Sequence, residues 1–349
     1  MLANFKKISV AAAVAAALGA SGAAQAVIQS EPGDALLIPY VATSGAGKLN
    51  TMISIVVASP VNVNVSQYDT LTGPKTAAGC TGEIHWYFFD KNSVEIVDDK
   101  IKVTCDDWVG LDFGSIIEAK KLPSALNVPG YMVITDAKAN ETTASNMILY
   151  GSAFQIRGNW ASQAFIPVLP MIDDVDSAKR DEVKHRGAAF LSDVNPVTAG
   201  MWLASKPGQR ATFSMRYYVQ SSSPAGSTDF VLWFPDNSSL RASQTVLVFD
   251  ADERAISART SIPYELNILG VATDAKVGGL YTGVINDGLA DTGFVEFDVA
   301  DYAASSATAK GSTVNGYGSR AGVAFSLIGV DGAVGAQTQT ELAHERGVK

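Results

Sequence analysis

Side chains able to do chemistry are few in this chain and lie far apart. Asp106-Asp107-Trp108 sets two carboxylates beside an indole, the makings of one half of a glycosidase carboxylate pair. The same three residues suit the turn after a strand, with Trp108 packed down on a sheet, and that is the expectation adopted. Trp86, Trp108 and Trp233 would form a sugar platform if exposed, but strand aromatics usually lie in a core. Of the three histidines, His185 lies in a charged stretch and His344 near the C-terminus. His85, beside Trp86, would need distant partners to build a triad or a zinc site. A hydrogen-bonded strand histidine is expected there instead.

Hard oxygen donors gather at Asp173, Asp174, Asp176 and Asp181, with Glu182, and could surround calcium. Asp250 with Asp252, and Asp287 with Asp291, offer smaller versions in turns. None has the glycine and terminal glutamate spacing of an EF-hand, so a solvated acidic loop is expected and no cofactor other than calcium is considered. Gly45-Ala46-Gly47-Lys48 has the look of a phosphate loop. However, Ala42 stands where its first glycine belongs and Leu49 replaces the magnesium-binding hydroxyl. A hairpin turn explains the run better. No Gly-x-Ser-x-Gly elbow exists. No catalytic residue is assigned, and the chain is not expected to be an enzyme; a hydrolase of unrecognised type is the reading that Asp106 and Asp107 keep open.

The N-terminus carries Lys6 and Lys7, an apolar run from Ile8 to Ala20, and Ala24-Gln25-Ala26, the three parts of a secretion signal. The apolar run is too short to span a bilayer. Residues 1–26 are therefore expected to be removed, which places the mature chain at the outer cell surface, in the medium or in the periplasm. The mature chain would hold 24 basic and 35 acidic residues, a net charge of −11. That charge argues against nucleic acid and anionic membranes as partners. No later segment has the length of a membrane span, and the C-terminus lacks the aromatic residue that usually closes an outer-membrane barrel. Cys80 and Cys105 are the only cysteines. In an exported chain such a pair is expected to form a disulfide. Closing that loop is worth roughly 3–4 kcal/mol by chain entropy.

Positioning these residues falls to strands. Asp34–Val41, Thr51–Ala58, the hairpin within 82–113, Gly130–Asp136 and Met147–Ile156 read as strands separated by turn chemistry. In Ile84-His-Trp-Tyr-Phe-Phe89 both alternating faces are apolar, which suggests a strand covered on both sides. Asp176–Leu191 has helical spacing. Five blocks then return in order: Met215–Val219 answers Ile38–Val41, Thr228–Phe234 answers Thr51–Val57, and 244–264 answers 83–104. Gly293–Phe297 answers Gly130–Ile134, and Gly322–Leu327 answers Gly151–Ile156.

The expected fold is all-β: two tandem antiparallel β-sandwich (Ig-like) units from an internal duplication, joined by a short helical connector. Unit 1 is placed at 27–157, the connector at 158–209, unit 2 at 210–335 and a polar tail at 336–349.

With Leu36-Leu37-Ile38-Pro39-Tyr40 ahead of Thr51, and Thr228-Asp229-Phe230 ahead of Phe234-Pro235, the chain resembles an uncharacterised group of exported proteobacterial proteins. The resemblance implies a β-rich surface or secreted protein and carries over no catalytic residue. The functional expectation is an exported structural or adhesive component of the cell surface, matrix or an extracellular filament, with itself or other surface proteins as partners. Strand addition by the segment of Asp34, Leu36, Leu37, Ile38 and Tyr40 is one route to assembly. A soluble carbohydrate- or calcium-binding module is the alternative.

Overall fold

The computed structural model describes residues 33, 35–45, 48–58, 82–135, 147–158, 162–171, 211–219, 225–233, 243–252, 254–270, 292–299, 323–332, 335–342 and 345–348. The described chain is nearly all strand. β1 is Ala35–Val41, β2 Asn50–Ala58, β3 Gly82–Asp90, β4 Glu95–Val103 and β5 Trp108–Asp112. A short helix, α1, covers Phe113–Ala119. Then come β6 Gly130–Thr135, β7 Ile148–Arg157, β8 Ser162–Ile166 and β9 Leu169–Met171. The later strands are β10 Ala211–Tyr218, β11 Ala225–Trp233, β12 Ser243–Asp250, β13 Ala255–Ser261 and β14 Leu266–Gly270. β15 is Thr292–Val299, β16 Val323–Gly332, β17 Gly335–Leu342 and β18 Glu345–Val348.

These strands form four antiparallel sheets. Sheet I runs β4-β3-β6-β1-β9 and sheet II runs β5-β2-β7-β8. Sheet III runs β13-β12-β15-β10-β18 and sheet IV runs β14-β11-β16-β17. Adding nine to every strand of sheets I and II gives sheets III and IV in the same order. Atomic details repeat with the order. Thr51 Oγ1 accepts from Ala42 N at 3.0 Å and donates to Ala42 O at 2.9 Å. Thr228 Oγ1 does the same with Tyr218, both at 2.9 Å. Asp90 Oδ1 accepts from Asn92 N and Val94 N, as Asp250 Oδ1 does from Asp252 N and Arg254 N. Each aspartate thereby closes its hairpin turn by bonding its own backbone. At Gly130 and at Gly293, an added Cβ would lie 2.0 Å from the carbonyl oxygen of Phe89 and of Phe249. Only glycine permits that strand approach.

The sheets are layered. Between sheets II and I, Phe113 packs on Phe88, with centroids 4.7 Å apart, and Leu36 lies over Gly151. Between sheets I and IV, Tyr131 meets Trp233. Between sheets IV and III, Phe230 meets Phe297, with centroids 5.5 Å apart. The order through the core is therefore II, I, IV, III, and at one edge β8 of sheet II also lies along β17 of sheet IV. The two middle sheets are covered on both faces. Residues 86–89 of β3, all of β6 and residues 230–233 of β11 are buried without alternation. The free edge of sheet I is β4, whose Asp98, Asp99, Lys100 and Lys102 blunt it against further pairing. Lys100 pairs with Glu83 at 3.0 Å, and Lys120 with Asp99 at 2.7 Å.

Several expectations are corrected. The segment 158–209 is not only a connector, because β8 and β9 pair with β7 and β1 and extend the first pair of sheets to Met171. Pro167 and Pro170 do not prevent this, since β9 is a three-residue strand at the sheet edge. Nor is 336–349 a loose tail. Thr338, Thr340 and their neighbours pair with β16, and Glu345–Val348 pairs with β10. Thr51 stands opposite Gln155 and Thr228 opposite Ile328. β7 and β16 therefore correspond two residues away from the Gly151–Gly322 match. The helix expected over 176–191 lies outside the described residues. α1 was not expected: seven residues are too few to show periodicity, and its cap is completed from another strand.

Candidate binding surface

Sheet II has one face in the core and one in solvent. Ile53, Ile55 and Val57 of β2 point inward, which turns Met52, Ser54 and Val56 outward. The registers of β5 and β7 then build rows across the outer face. Val56 stands opposite both Trp108 and Tyr150, and Ser54 opposite Gly110 and Ser152. Met52 stands opposite Asp112 and Phe154. Phe154 continues the third row to Phe165 on β8, in an edge-to-face contact with centroids 5.7 Å apart.

Trp108 was expected to pack down, yet it is 68% exposed. Its ring lies over Gly110, where a Cβ would come within 2.8 Å of Cη2. Its Nε1 donates to Ser54 Oγ at 2.7 Å. One hydrogen bond and one missing side chain thus hold the indole flat on the sheet with its other face open. Val56 beside it is 37% exposed. The row Trp108, Val56, Tyr150 is an apolar strip on regular secondary structure. At one end of the face Asp112 is engaged, accepting from Asn50 Nδ2 at 2.7 Å and from Ser115 N at 2.9 Å. Burial pushes the Asp112 carboxyl up, but these donors, with the Ser115 hydroxyl and Gly114 N–H, outweigh it and hold the carboxyl below its ordinary value.

A second polar group lies where the two halves meet. Tyr40, Gln155, Arg157 and Asp229 come from β1, β7 and β11. Burial, and then the Asp229 charge, push the Tyr40 hydroxyl up to about 12, against the Gln155 hydrogen bond and the Arg157 charge. Burial also pushes the Asp229 carboxyl above its ordinary value, with Arg157 opposing. Nearby, Ser93 Oγ donates to Glu265 across the same boundary.

The other sequence candidates are dispersed. Asp106 and Asp107 form a turn along Val57, and Asp107 Oδ2 accepts from Thr104 N at 2.6 Å. That carboxylate closes its own loop, as the turn after a strand requires. Trp86 and Trp233 are buried, so the three tryptophans share no platform. His85 stacks on Tyr87, with centroids 6.3 Å apart. Leu36, Leu37, Ile38 and Tyr40 lie in β1, second from the edge of sheet I, between β6 and the short edge strand β9. Asp34, Cys80, Asp173, Asp174, Asp176, Asp181, His185 and His344 lie outside the described residues. Among the described residues no cluster of three metal-binding side chains occurs, no cysteine is free, and no helix is long and apolar enough to cross a membrane. No family model, no curated protein and no solved structure matches the chain. The outer-face row was missed in sequence because Val56 and Tyr150 look like ordinary strand residues. The available signal was that two of the three outward positions of Thr51–Ala58, Met52 and Val56, are apolar.

Proposed function

We propose that this is an exported, non-enzymatic structural or adhesive component of the cell surface, matrix or an extracellular filament, built from an internally duplicated pair of β-sandwich (Ig-like) units. The observation that carries the reading is the outer face of sheet II, which presents Trp108, Val56 and Tyr150 as a flat apolar strip. An exposed apolar face on rigid strands suits contact with another large surface. The duplication draws support from the matched sheet orders and from the repeated Thr51/Thr228 and Asp90/Asp250 bonds. Export draws support from the signal-like residues 1–26.

A disulfide between Cys80 and Cys105 belongs to this reading. Gly82 stands opposite Val103, so the two cysteines lie just beyond the paired ends of β3 and β4 in sequence. Strand addition by β1 would take the form of an exchange between copies, because its own sheet already holds it on both edges.

A second reading is a soluble carbohydrate-binding module, favoured by the flat, open indole of Trp108. Fractionation of the native cells followed by electron microscopy separates the two. Surface-bound chain in fibres or a layer supports the structural reading. A soluble monomer that binds a glycan, and loses it in Trp108→Ala, supports the second.

A further inference from the structure

The outer face of sheet II is built in rows of different chemistry. The row of Trp108, Val56 and Tyr150 is apolar. The next, Gly110, Ser54 and Ser152, is small and hydroxylic. Ser54 Oγ accepts from Trp108 Nε1 at 2.7 Å, so its single O–H remains as a donor beside the indole. Asp112 and Arg157 are the only charged residues on the four strands of this sheet. Asp112 is held by Asn50 and the first turn of α1, and Arg157 belongs to the polar group where the halves meet.

The face is therefore close to neutral on a chain that carries 35 acidic and 26 basic residues. An anionic partner would meet the negative field of the chain and the Asp106-Asp107 turn beside Trp108, whereas an uncharged one meets no such barrier. Size narrows the partner further. Three inter-strand steps by four residues along β2 make a patch of roughly 200 Å², since strands lie about 4.8 Å apart and rise about 3.4 Å per residue. A stable protein–protein contact covers about 800 Å² on each partner. The face is too small for a second copy to seat on alone and suits a narrow, extended ligand.

Spacing gives the ligand its class. Trp108 and Tyr150 flank Val56 from the strands on either side, two inter-strand steps or about 10 Å apart. An extended β-1,4-linked pyranose chain turns each ring over relative to the last, so that alternate rings present the same face after a comparable length. With its substituents equatorial, such a ring carries C–H bonds on its faces, and these stack on an aromatic ring held flat. Trp108 is such a ring, fixed over Gly110 and 68% exposed. An α-1,4-linked chain curls and cannot lie along a straight row.

We propose that the outer face of sheet II binds a neutral β-1,4-linked polysaccharide, laid across the strands with alternate sugars on Trp108 and Tyr150. Val56 lies beneath the sugar between them, and the Ser54 and Ser152 hydroxyls run along the edge of the chain. This binding rests on the adhesive reading above and deepens it by naming what the protein adheres to.

Isothermal titration calorimetry of the purified chain with cellohexaose and chitohexaose tests it, with maltohexaose and polygalacturonate as the α-linked and anionic comparisons. At least one β-1,4-linked hexasaccharide should bind, and both comparisons should bind weaker by about tenfold or more. Trp108→Ala should weaken binding by about tenfold. Tyr150→Ala should leave the affinity for the disaccharide unchanged and abolish the gain from disaccharide to hexasaccharide. Silence with both β-1,4-linked hexasaccharides overturns the proposal, as does binding that Trp108→Ala leaves intact or that either comparison equals. A concentration-dependent dimer in sedimentation velocity that Trp108→Ala dissolves gives the face to a second copy and also overturns it. If Trp108→Ala fails to fold, hydroxyl-radical footprinting of the parent decides. The bound hexasaccharide should protect Trp108 and Tyr150 together, and protection of neither or of one alone overturns the proposal. Failure of the surface-component reading looks different. It would appear as intracellular chain on fractionation, with glycan binding by the purified protein unaffected.

Discussion

Trp233 of β11 meets the ring of Tyr131 of β6 edge-on, with centroids 5.9 Å apart and planes at 71°. The two residues are about a hundred positions apart and belong to different pairs of sheets. Both side chains are fully buried by the contact and its surroundings. The core is therefore continuous from sheet I into sheet IV, where Val231, Leu266, Val323 and Phe325 belong to the same cluster as Phe89 and Val133.

Removing that ring should uncouple the halves. Trp233→Ala is expected to cost about 3–5 kcal/mol, the usual range for emptying a buried aromatic site. Differential scanning calorimetry should show the parent's single transition split into two. A variant that still melts in one transition at the parent's temperature would show that the halves do not depend on this contact.

Thr51 and Thr228 make the same paired bonds to the ends of β1 and β10. Replacing either by valine keeps the volume and leaves a backbone N–H and a C=O without this partner. Each change should destabilise by roughly 1–3 kcal/mol. Urea unfolding of both variants checks this. A cost at one site with none at the other would break the equivalence drawn between the two halves.

Asp229 is a group whose carboxyl burial raises above its ordinary value, against the pull of Arg157. The folded chain therefore holds this proton more tightly than the unfolded chain. The stability linked to it is fully present below the unfolded carboxylate pKa and is lost as pH rises through the folded value. Asp229→Asn should melt at a higher temperature than the parent near neutral pH, and its melting temperature should vary less between acid and neutral pH. Asp112 has the opposite sign, since its carboxyl is held low. Asp112→Asn should lose stability above the ordinary carboxylate pKa and approach the parent as pH falls through the folded value.

A disulfide between Cys80 and Cys105 is part of the proposed reading, and Cys105 lies two residues beyond the end of β4. Peptide mapping without reductant should recover the two as one linked fragment, and reduction should cost about 2–4 kcal/mol. Free thiols at both positions in protein isolated from the native cells would remove this cross-link from the account.

What the sequence made legible follows from local periodicity. Ile84-His-Trp-Tyr-Phe-Phe89 is apolar on both alternating faces, and the structure covers both faces at residues 86–89. The Thr228 and Phe-Asp blocks announced the shared strand order. What stayed hidden depends on distant partners. Trp86 and Trp108 are both strand tryptophans, and nothing local says that one face is covered and the other open. That difference is made by packing distant in sequence: Trp86 shares its face of β3 with Phe88, the face that meets sheet II, whereas Trp108 lies on the outer face of sheet II. α1 is capped by Asp112, held in place by Asn50 from a strand 62 residues earlier. β17 is rich in Thr and Gln, and its strand character comes from lying beside β16.

The place of β1 in sheet I bears on how the chain is made. Its partners are β6, about a hundred residues later, and β9, later still. A nascent chain read from its N-terminus cannot seat this strand until residue 171 has emerged. Even then, Phe89, Tyr131 and Val133 wait for β11 to cover them. For that interval the half-made protein carries a greasy aromatic wall and an early strand without a home, conditions that favour aggregation. Until β11 arrives, residues 35–41 and 84–89 are the apolar strands that the incomplete chain leaves without their full cover.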